Sequence, residues 1–418
     1  MLALIFIFPA ASGSYAADTP DEDIYGLIRK LADDDYEVRE GAIQELVIIG
    51  EEAVPYLIEA LQDPAWEIRK GAAGALQEMG PVAKDAVPQL VIALKDEEPG
   101  VRAAAAKAFT GIGPPASEAI EALLEVLSDK ESAVRGSAAW ALGEIGGKAG
   151  FVIPALVKAL ADEKWWVTDR ATYALSLYGG EAVAALIVAL EEGDSSIKWA
   201  ATSALGMIGP EAEDALANLI GLLEDEDSSV RSMAADTLSR IGAEPEYVVA
   251  ALIEAMSDED RWVRSTAAES LTRMGKQAKE AVPALIAALN DEEPAVRSNA
   301  ALALGEIGTE PGVVRALITA MVDDEEKLRH SIGLALTDLG LGTLPGLGLE
   351  SGEQIATLIG ALGSEDVDVR TDAAFALGEF GAEAKGALGK LKELAGKEAS
   401  DEIRWYYRDA ISKIEGGS

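Results

Sequence analysis

The residues best equipped for chemistry in this chain are an aspartate and an arginine set six positions apart, and the spacing recurs. Asp63 precedes Arg69, Asp96 precedes Arg102, and Asp129 precedes Arg135. Farther on, Asp225 precedes Arg231, Asp258 precedes Arg264, and Asp291 precedes Arg297. A carboxylate beside a guanidinium can form an anion site, or it can tie two pieces of backbone through charge-assisted hydrogen bonds. An active site rarely recurs once per repeat, so the pattern reads as a structural ladder. Each Arg is expected to pair with an acidic turn of its own or the adjacent unit.

The remaining chemical inventory excludes more than it offers. There is no Cys, which removes disulfides, thiolate metal sites and cysteine nucleophiles. His330 is the only His, so no His-based triad or multi-histidine zinc site can form within one chain; beside Arg329 it reads as a lone polar groove residue. Neither G-x-S-x-G, nor a Gly-rich phosphate loop, nor H-E-x-x-H occurs. Acidic runs such as Asp258, Glu259 and Asp260 lack the glycine turn and distal Glu of a calcium loop and read as helix caps. The chain is therefore expected to be non-catalytic, with no metal and no cofactor. Lys+Arg 35 against Asp+Glu 73 leaves a formal charge of −38, which repels nucleic acid and favours a protein or peptide partner with a basic surface.

The elements that carry these pairs repeat too. Asp291 to Gly308 reads DEEPAVRSNAALALGEIG, and DPAWEIRKGAAGALQEMG from Asp63 and DKESAVRGSAAWALGEIG from Asp129 follow the same plan. Acidic residues and an occasional Pro open a helix and a Gly closes it. A second apolar run, such as AVPALIAAL from Ala281 to Leu289, predicts a shorter helix before the next acidic turn. A helical hairpin of this size cannot bury its apolar face alone, so neighbours must stack into one continuous core. Counting by the Arg position gives Arg39, Arg69, Arg102 and Arg135, then Thr168 and Lys198 in its place, then Arg231, Arg264, Arg297, Arg329, Arg370 and Arg404. The Thr168 to Lys198 interval is short of the usual period of about 33 residues.

With Asp six residues before Arg and AA-x-ALG-x-IG after it, the chain after Pro20 resembles the HEAT-repeat family, in particular the HEAT-like variety named after phycobilisome lyases. The resemblance implies an all-α, right-handed alpha-alpha superhelix, a solenoid of about twelve helical hairpins, with the second helix of each pair lining a concave face. It is weak for function, since one scaffold hosts many activities. The leading expectation is a scaffold that binds protein or peptide in the groove. A bilin lyase or isomerase and an acidic structural envelope component are the alternatives.

Domain organisation follows. Residues 1–16 form an apolar run of signal-peptide length, which points to export to the periplasm, envelope or exterior. The run is too short to span a membrane as a helix, and no integral membrane segment is expected in the mature chain. Residues 17–415 form one solenoid, interrupted by a Gly-rich, irregular insertion at 340–352, and 416–418 form a tail. Trp405, Tyr406 and Tyr407 are expected to seal the end of the core.

Helical periodicity sorts the second helix. Positions −1, +3, +7 and +10 from the Arg are apolar, as at Val296, Ala300, Leu304 and Ile307, and form the core. Positions +1, +5 and +8 then face the groove. The +8 residues are small (Gly143, Gly206, Gly305), predicting a smooth floor, while +5 carries Trp140 and Tyr173 in consecutive units. Trp199 at +1 of the next unit and Trp166 complete a candidate set of partner-binding anchors. The alternative is that Trp165, Tyr173 and Tyr178 fill the gap of the shortened unit. Trp66 and Trp262 read as isolated packing residues.

Overall fold

The structure, a computed structural model, describes residues 20–308, 312–320, 328, 331–332, 334–336, 339, 351–364 and 367–416. His330, residues 1–16 and residues 340–350 of the expected insertion lie outside them. Among the described residues the regular elements are all helical, and they stack in pairs. The chain divides into two compact units, Met1–Ala182 and Val183–Ser418.

The first unit contains α1 (Pro20–Lys30), α2 (Tyr36–Ile49), α3 (Val54–Ala60), α4 (Trp66–Met79), α5 (Val87–Ala93), α6 (Pro99–Ile112), α7 (Ile120–Val126), α8 (Ser132–Ile145), α9 (Ala149–Ala159) and α10 (Trp165–Leu177). One hairpin shows why the sequence folds this way. Pro88 sits in the first turn of α5, where its missing N–H costs nothing. The Asp96 carboxylate then accepts the Glu98 N–H at 2.9 Å and shapes the turn into α6. Val101, Ala105, Phe109 and Ile112, at −1, +3, +7 and +10 from Arg102, are all fully buried. Gly113, at φ 66°, closes α6 in a backbone conformation that side chains avoid. Full burial of each large aliphatic residue stabilises by about 1.5–3 kcal/mol, which is how stacking compensates for seven-residue first helices that would not form alone.

Second helices pack on one another in a row, α2 on α4, α4 on α6, α6 on α8 and α8 on α10. These contacts correct the expected role of position +8. A Cβ added to Gly143 would lie 2.7 Å from the Ala174 Cα, so this glycine is small because the next second helix presses on it. The short unit ends at Tyr178, whose buried hydroxyl donates to the Gly147 carbonyl at 2.9 Å and lies 3.2 Å from the Leu142 carbonyl. Burial, with Glu181 adding to it, pushes this phenol up to about 12.

Helix α11 (Gly180–Glu192) contains the boundary at Ala182 and Val183. The second unit continues with α12 (Ser195–Ile208), α13 (Leu216–Gly221), α14 (Ser228–Ile241), α15 (Pro245–Ala255), α16 (Arg261–Met274), α17 (Val282–Ala288), α18 (Pro294–Ile307), α19 (Val313–Ala320), α20 (Ser351–Ala361), α21 (Val367–Glu379), α22 (Leu388–Lys397) and α23 (Asp401–Glu415). Ser351 and Gly352, expected to be irregular, already belong to α20. Here +8 is packed as well: a Cβ on Gly206 would meet Thr237 Oγ1 at 2.8 Å, and one on Gly305 the Ala335 Cα at 2.6 Å. Polar side chains stitch this row, with Thr237 donating to the Thr202 carbonyl at 3.1 Å and Ser270 to the Ala235 carbonyl at 3.0 Å. At the end of the chain Tyr407 is fully buried, whereas Trp405 is 56% exposed and stands edge-on to Tyr406. Of the three aromatic residues expected to seal the core, Tyr407 is buried, Tyr406 is half-buried and Trp405 stays at the surface.

Among the described residues the buried hydroxyls of Thr172, Thr202 and Ser298 have no hydrogen-bond partner. The Thr202 hydroxyl is fully buried with no hydrogen-bond partner, at a position that is Ala in most hairpins (Ala106, Ala139, Ala235). Thr202→Val keeps the shape and removes the stranded hydroxyl, so it is expected to stabilise by about 1 kcal/mol. A urea midpoint that falls instead would show that the hydroxyl is satisfied in solution.

Candidate functional site

The recurring Asp and Arg are brought together across hairpins. Arg69 donates from Nε and Nη2 to the two carboxylate oxygens of Asp96, at 2.7 and 2.8 Å. Its Nη1 donates to the backbone carbonyls of Asp63 and Pro64, at 2.9 and 3.1 Å. Asp96, Asp129, Asp225, Asp258 and Asp291 thus each supply a carbonyl to the Arg six residues on and a carboxylate to the Arg or Lys of the preceding unit, whereas the Asp63 carboxylate accepts the Ala65 N–H. The geometry recurs for Arg102 with Asp129 and Arg135 with Asp162, and in the second unit for Arg231 with Asp258 and Arg264 with Asp291. Arg297 reaches the carbonyls of Asp291 and Glu292 at 2.9 and 3.1 Å. Lys198 makes a single 2.7 Å contact with Asp225. Thr168, too short for either task, lies 3.4 Å from the Asp162 carbonyl.

These carboxylates titrate abnormally. Burial pushes Asp96, Asp129, Asp258 and Asp291 upward, but the Arg hydrogen bond, the backbone N–H two residues on and the Arg charge together hold each below its ordinary 3.8. At Asp162 the Arg135 hydrogen bond is the largest influence and the direction is the same. A carboxylate whose folded pKa is depressed contributes stability that is fully present above its unfolded pKa and lost as pH falls through the folded one. The melting temperature is therefore expected to hold between pH 7 and 5, where relief of negative self-repulsion also helps, and to drop once the pH falls below the ordinary 3.8 of these carboxylates. Thermal melts followed by circular dichroism across this range check the sign; a steady decline from pH 7 to 5 would contradict it.

The four expected anchors have different surroundings. Trp140 is half-buried: the Arg170 guanidinium lies 4.1 Å from its ring centre, and its Nε1–H donates to Glu144 at 2.9 Å. Tyr173, 38% exposed, lies with its hydroxyl 3.3 Å from the same Glu144 oxygen, and that carboxylate's charge, with burial and the hydrogen bond, raises its pKa. Trp166 is 39% exposed and stands edge-on to the far more exposed Trp165 at 6.0 Å. These three belong to α8 and α10 of the first unit. Trp199 belongs to the second, where it lines a notch of about 430 Å3 with Trp262, Met233 and Glu269.

A groove larger than this notch lies elsewhere. About 790 Å3 in volume, it runs along α2, α4, α6 and α8 of the first unit, and Tyr36, Trp66, Gly74, Gly100 and Ala104 are among the residues that line it. Trp66 and Trp262, expected to be isolated packing residues, both line concavities instead. The missed signal is a column of rings three residues before the Arg position, at Tyr36, Trp66 and Trp165. Position +9 was missed as well. Ile48, Leu177 and Met207 occupy it, and all are exposed.

Among the described residues, no helix is long and apolar enough to cross a membrane. A family model of HEAT repeats matches residues 24–105, 87–176, 153–239, 183–271 and 249–337. Three solved structures are similar over most of the chain. A structure describing Kap95p binding to RanGDP has TM-score 0.53 at 17% identity, covering 94% of this chain and 59% of that one. The karyopherin Kap121p, bound to the extreme C-terminus of the protein phosphatase Cdc14p, gives TM-score 0.52, 14% identity, and coverage of 95% and 50%. Importin beta gives 0.50, 15%, and 95% and 63%. The chain thus spans between 50% and 63% of the length of these proteins, and at such identities the likeness is one of fold. No curated protein matches the sequence.

Proposed function

The chain belongs to the HEAT-repeat family, and from that premise we propose that it is a non-catalytic scaffold that binds a protein or peptide on the exposed strip of its second helices. The carrying observation is the 790 Å3 groove of the first unit, lined by two exposed aromatic rings, Tyr36 and Trp66, together with small residues. Trp and Tyr offer large contact area with few rotamers to freeze, which suits a binding wall. Kap121p, whose structure holds the extreme C-terminus of another protein, offers a fold-level parallel. The Asp and Arg spacing supports the finer likeness to the variety named after phycobilisome lyases, and the apolar run in residues 1–16 supports export.

Selection from a random peptide library against the full chain tests the reading. Selected peptides are expected to lose at least tenfold in affinity on Tyr36→Ala with Trp66→Ala. Failure to select any peptide, or equal affinity for the variant and for Trp166→Ala with Tyr173→Ala, would remove the inner strip as the binding surface.

A further inference from the structure

Among the described residues, every tryptophan but one has its ring engaged. Lys70, Arg170 and Arg261 lie over the rings of Trp66, Trp140 and Trp262, at 5.9, 4.1 and 5.2 Å from their centres. Trp165 and Trp166 stand edge-on to one another, and Trp405 to Tyr406. Trp199 has neither a cation nor a second ring against it among these residues, although it is 41% exposed. An indole face attracts a cation within about 6 Å of its centre, and the flat, weakly hydrated guanidinium of Arg stacks on it well.

The chain builds such a group twice from its own residues. Arg261, over Trp262, also reaches Glu293 at 3.3 Å. Arg170 lies over Trp140, whose Nε1–H donates to Glu144 at 2.9 Å. At Trp199 the ring and the carboxylates are present without the guanidinium.

Those carboxylates surround the notch. Trp199 lines its volume of about 430 Å3, and Ser228 lines both this notch and an adjoining cavity of about 360 Å3. Five acids line the two, Glu226, Asp236, Glu259, Asp260 and Glu269, against one base, Arg231, which is already bonded to Asp258. Arg240 and Arg273 approach Asp236 to 2.6 and 3.1 Å, and Arg273 lies 3.8 Å from Glu269. With every such partner counted, and with Arg261 and Glu293, seven acids still stand against four bases. The first unit's groove, lined by four acids and three bases, has no comparable excess. The side chains of Glu259 and Glu269 are 93% and 63% exposed, so a partner can reach them.

We propose that this notch takes an extended, arginine-bearing peptide segment, with one guanidinium on the face of Trp199 and a second arginine among Glu226, Glu259 and Glu269. Trp199 belongs to α12 and Glu269 to α16, two steps along the row in which α12 packs on α14 and α14 on α16. At about 8–10 Å per step the span is about 16–20 Å, the reach of about five or six extended residues. The proposal rests on the reading that second helices bind peptide, and it names the chemistry of the second unit's partner.

The test uses the full chain and three fluorescein-labelled nine-residue peptides of Gly and Ser, with Arg, Leu or Glu at the second and seventh positions, read by polarisation at physiological salt. The Arg peptide is expected to bind at least tenfold tighter than either other. Trp199→Ala removes an exposed ring without changing the net charge, and it is expected to weaken the Arg peptide at least fivefold, while Trp66→Ala in the first unit leaves it unchanged. Glu259→Gln with Glu269→Gln is expected to weaken it by a similar factor, and it keeps the question decidable should Trp199→Ala fail to fold. Overturning results are a Leu or Glu peptide that binds as tightly as the Arg peptide, no binding of the Arg peptide, or Arg-peptide binding that neither variant weakens, which would be diffuse attraction to an acidic chain. If library-selected peptides bind and lose affinity on Tyr36→Ala with Trp66→Ala while the Arg peptide does not bind, this proposal falls and the broader reading stands; if no peptide binds at all, both fall.

Discussion

Arg102→Ala is expected to lower the unfolding free energy by roughly 3–5 kcal/mol, the range for breaking one side of a buried ion pair. Arg102 makes four hydrogen bonds: two to the Asp129 carboxylate at 2.7 and 3.0 Å, and two to the carbonyls of Asp96 and Glu97 at 2.9 and 3.2 Å. Its side chain is 9% exposed and that of Asp129 10%. Removing the guanidinium leaves a carboxylate with little water to replace it, and frees two turn carbonyls at once. Arg102→Met paired with Asp129→Leu is expected to recover much of the loss, since the damage comes from the uncompensated charge. Urea unfolding followed by circular dichroism reads the first effect. Because repeat arrays can open in parts, hydrogen exchange in α6 and α8 should report the loss locally. A change below about 1 kcal/mol, the worth of an exposed pair, would mean that water reaches this Asp and that the ladder does not hold the hairpins.

The second large effect is expected from Gly111→Ala. A Cβ built on Gly111 would stand 1.9 Å from the Gln77 carbonyl oxygen and 2.8 Å from its carbon. Both belong to the backbone of α4, so no side-chain rotation relieves the overlap and α4 and α6 must part. Overpacking of this kind costs about 1–3 kcal/mol and sometimes more. The cost should reach the upper end here, since the same two helices bury Val101, Ala105 and Leu76 between the hairpins. Gly74→Ala is the matched control: the same chemical change in α4, with space for the methyl, is expected to stabilise by up to about 1 kcal/mol. Opposite shifts in melting temperature are the expected result, and two shifts of the same sign would contradict the packing described.

What the sequence disclosed depended on how many sides of a helix a pattern can see. The hairpins, their caps and the core positions around Val296, Ala300, Leu304 and Ile307 were legible because burial against one partner leaves a periodic apolar stripe. The ladder was half legible, since spacing reveals that Asp and Arg are linked but not that the carbonyl goes to one Arg and the carboxylate to another. Position +8 was misread for a physical reason. A second helix inside the array has neighbours on both flanks as well as below, so Gly143 and Gly305, opposite the apolar stripe by angle, are pressed by the next helix. The exposed strip is narrower and centres on +5 and +9, where Tyr173, Ile48, Leu177 and Met207 are exposed. The groove escaped notice because two of its defining residues, Gly74 and Gly100, have no side chain to catch the eye, and because its rings stand at helix starts.

The central claim is that partners engage this strip of second helices, and side-chain footprinting tests it most directly. The full chain is oxidised by hydroxyl radicals with and without a saturating library-selected peptide, and modified residues are read by mass spectrometry. Tyr36 at 66% exposure and Trp66 at 40% are open to attack in the free chain, as is Ile92 on α5 at 63%. The account predicts several-fold protection of Tyr36 and Trp66 with Ile92 unchanged. Protection of Ile92 with Tyr36 and Trp66 still oxidised at the free rate would place the partner on the first helices and contradict it.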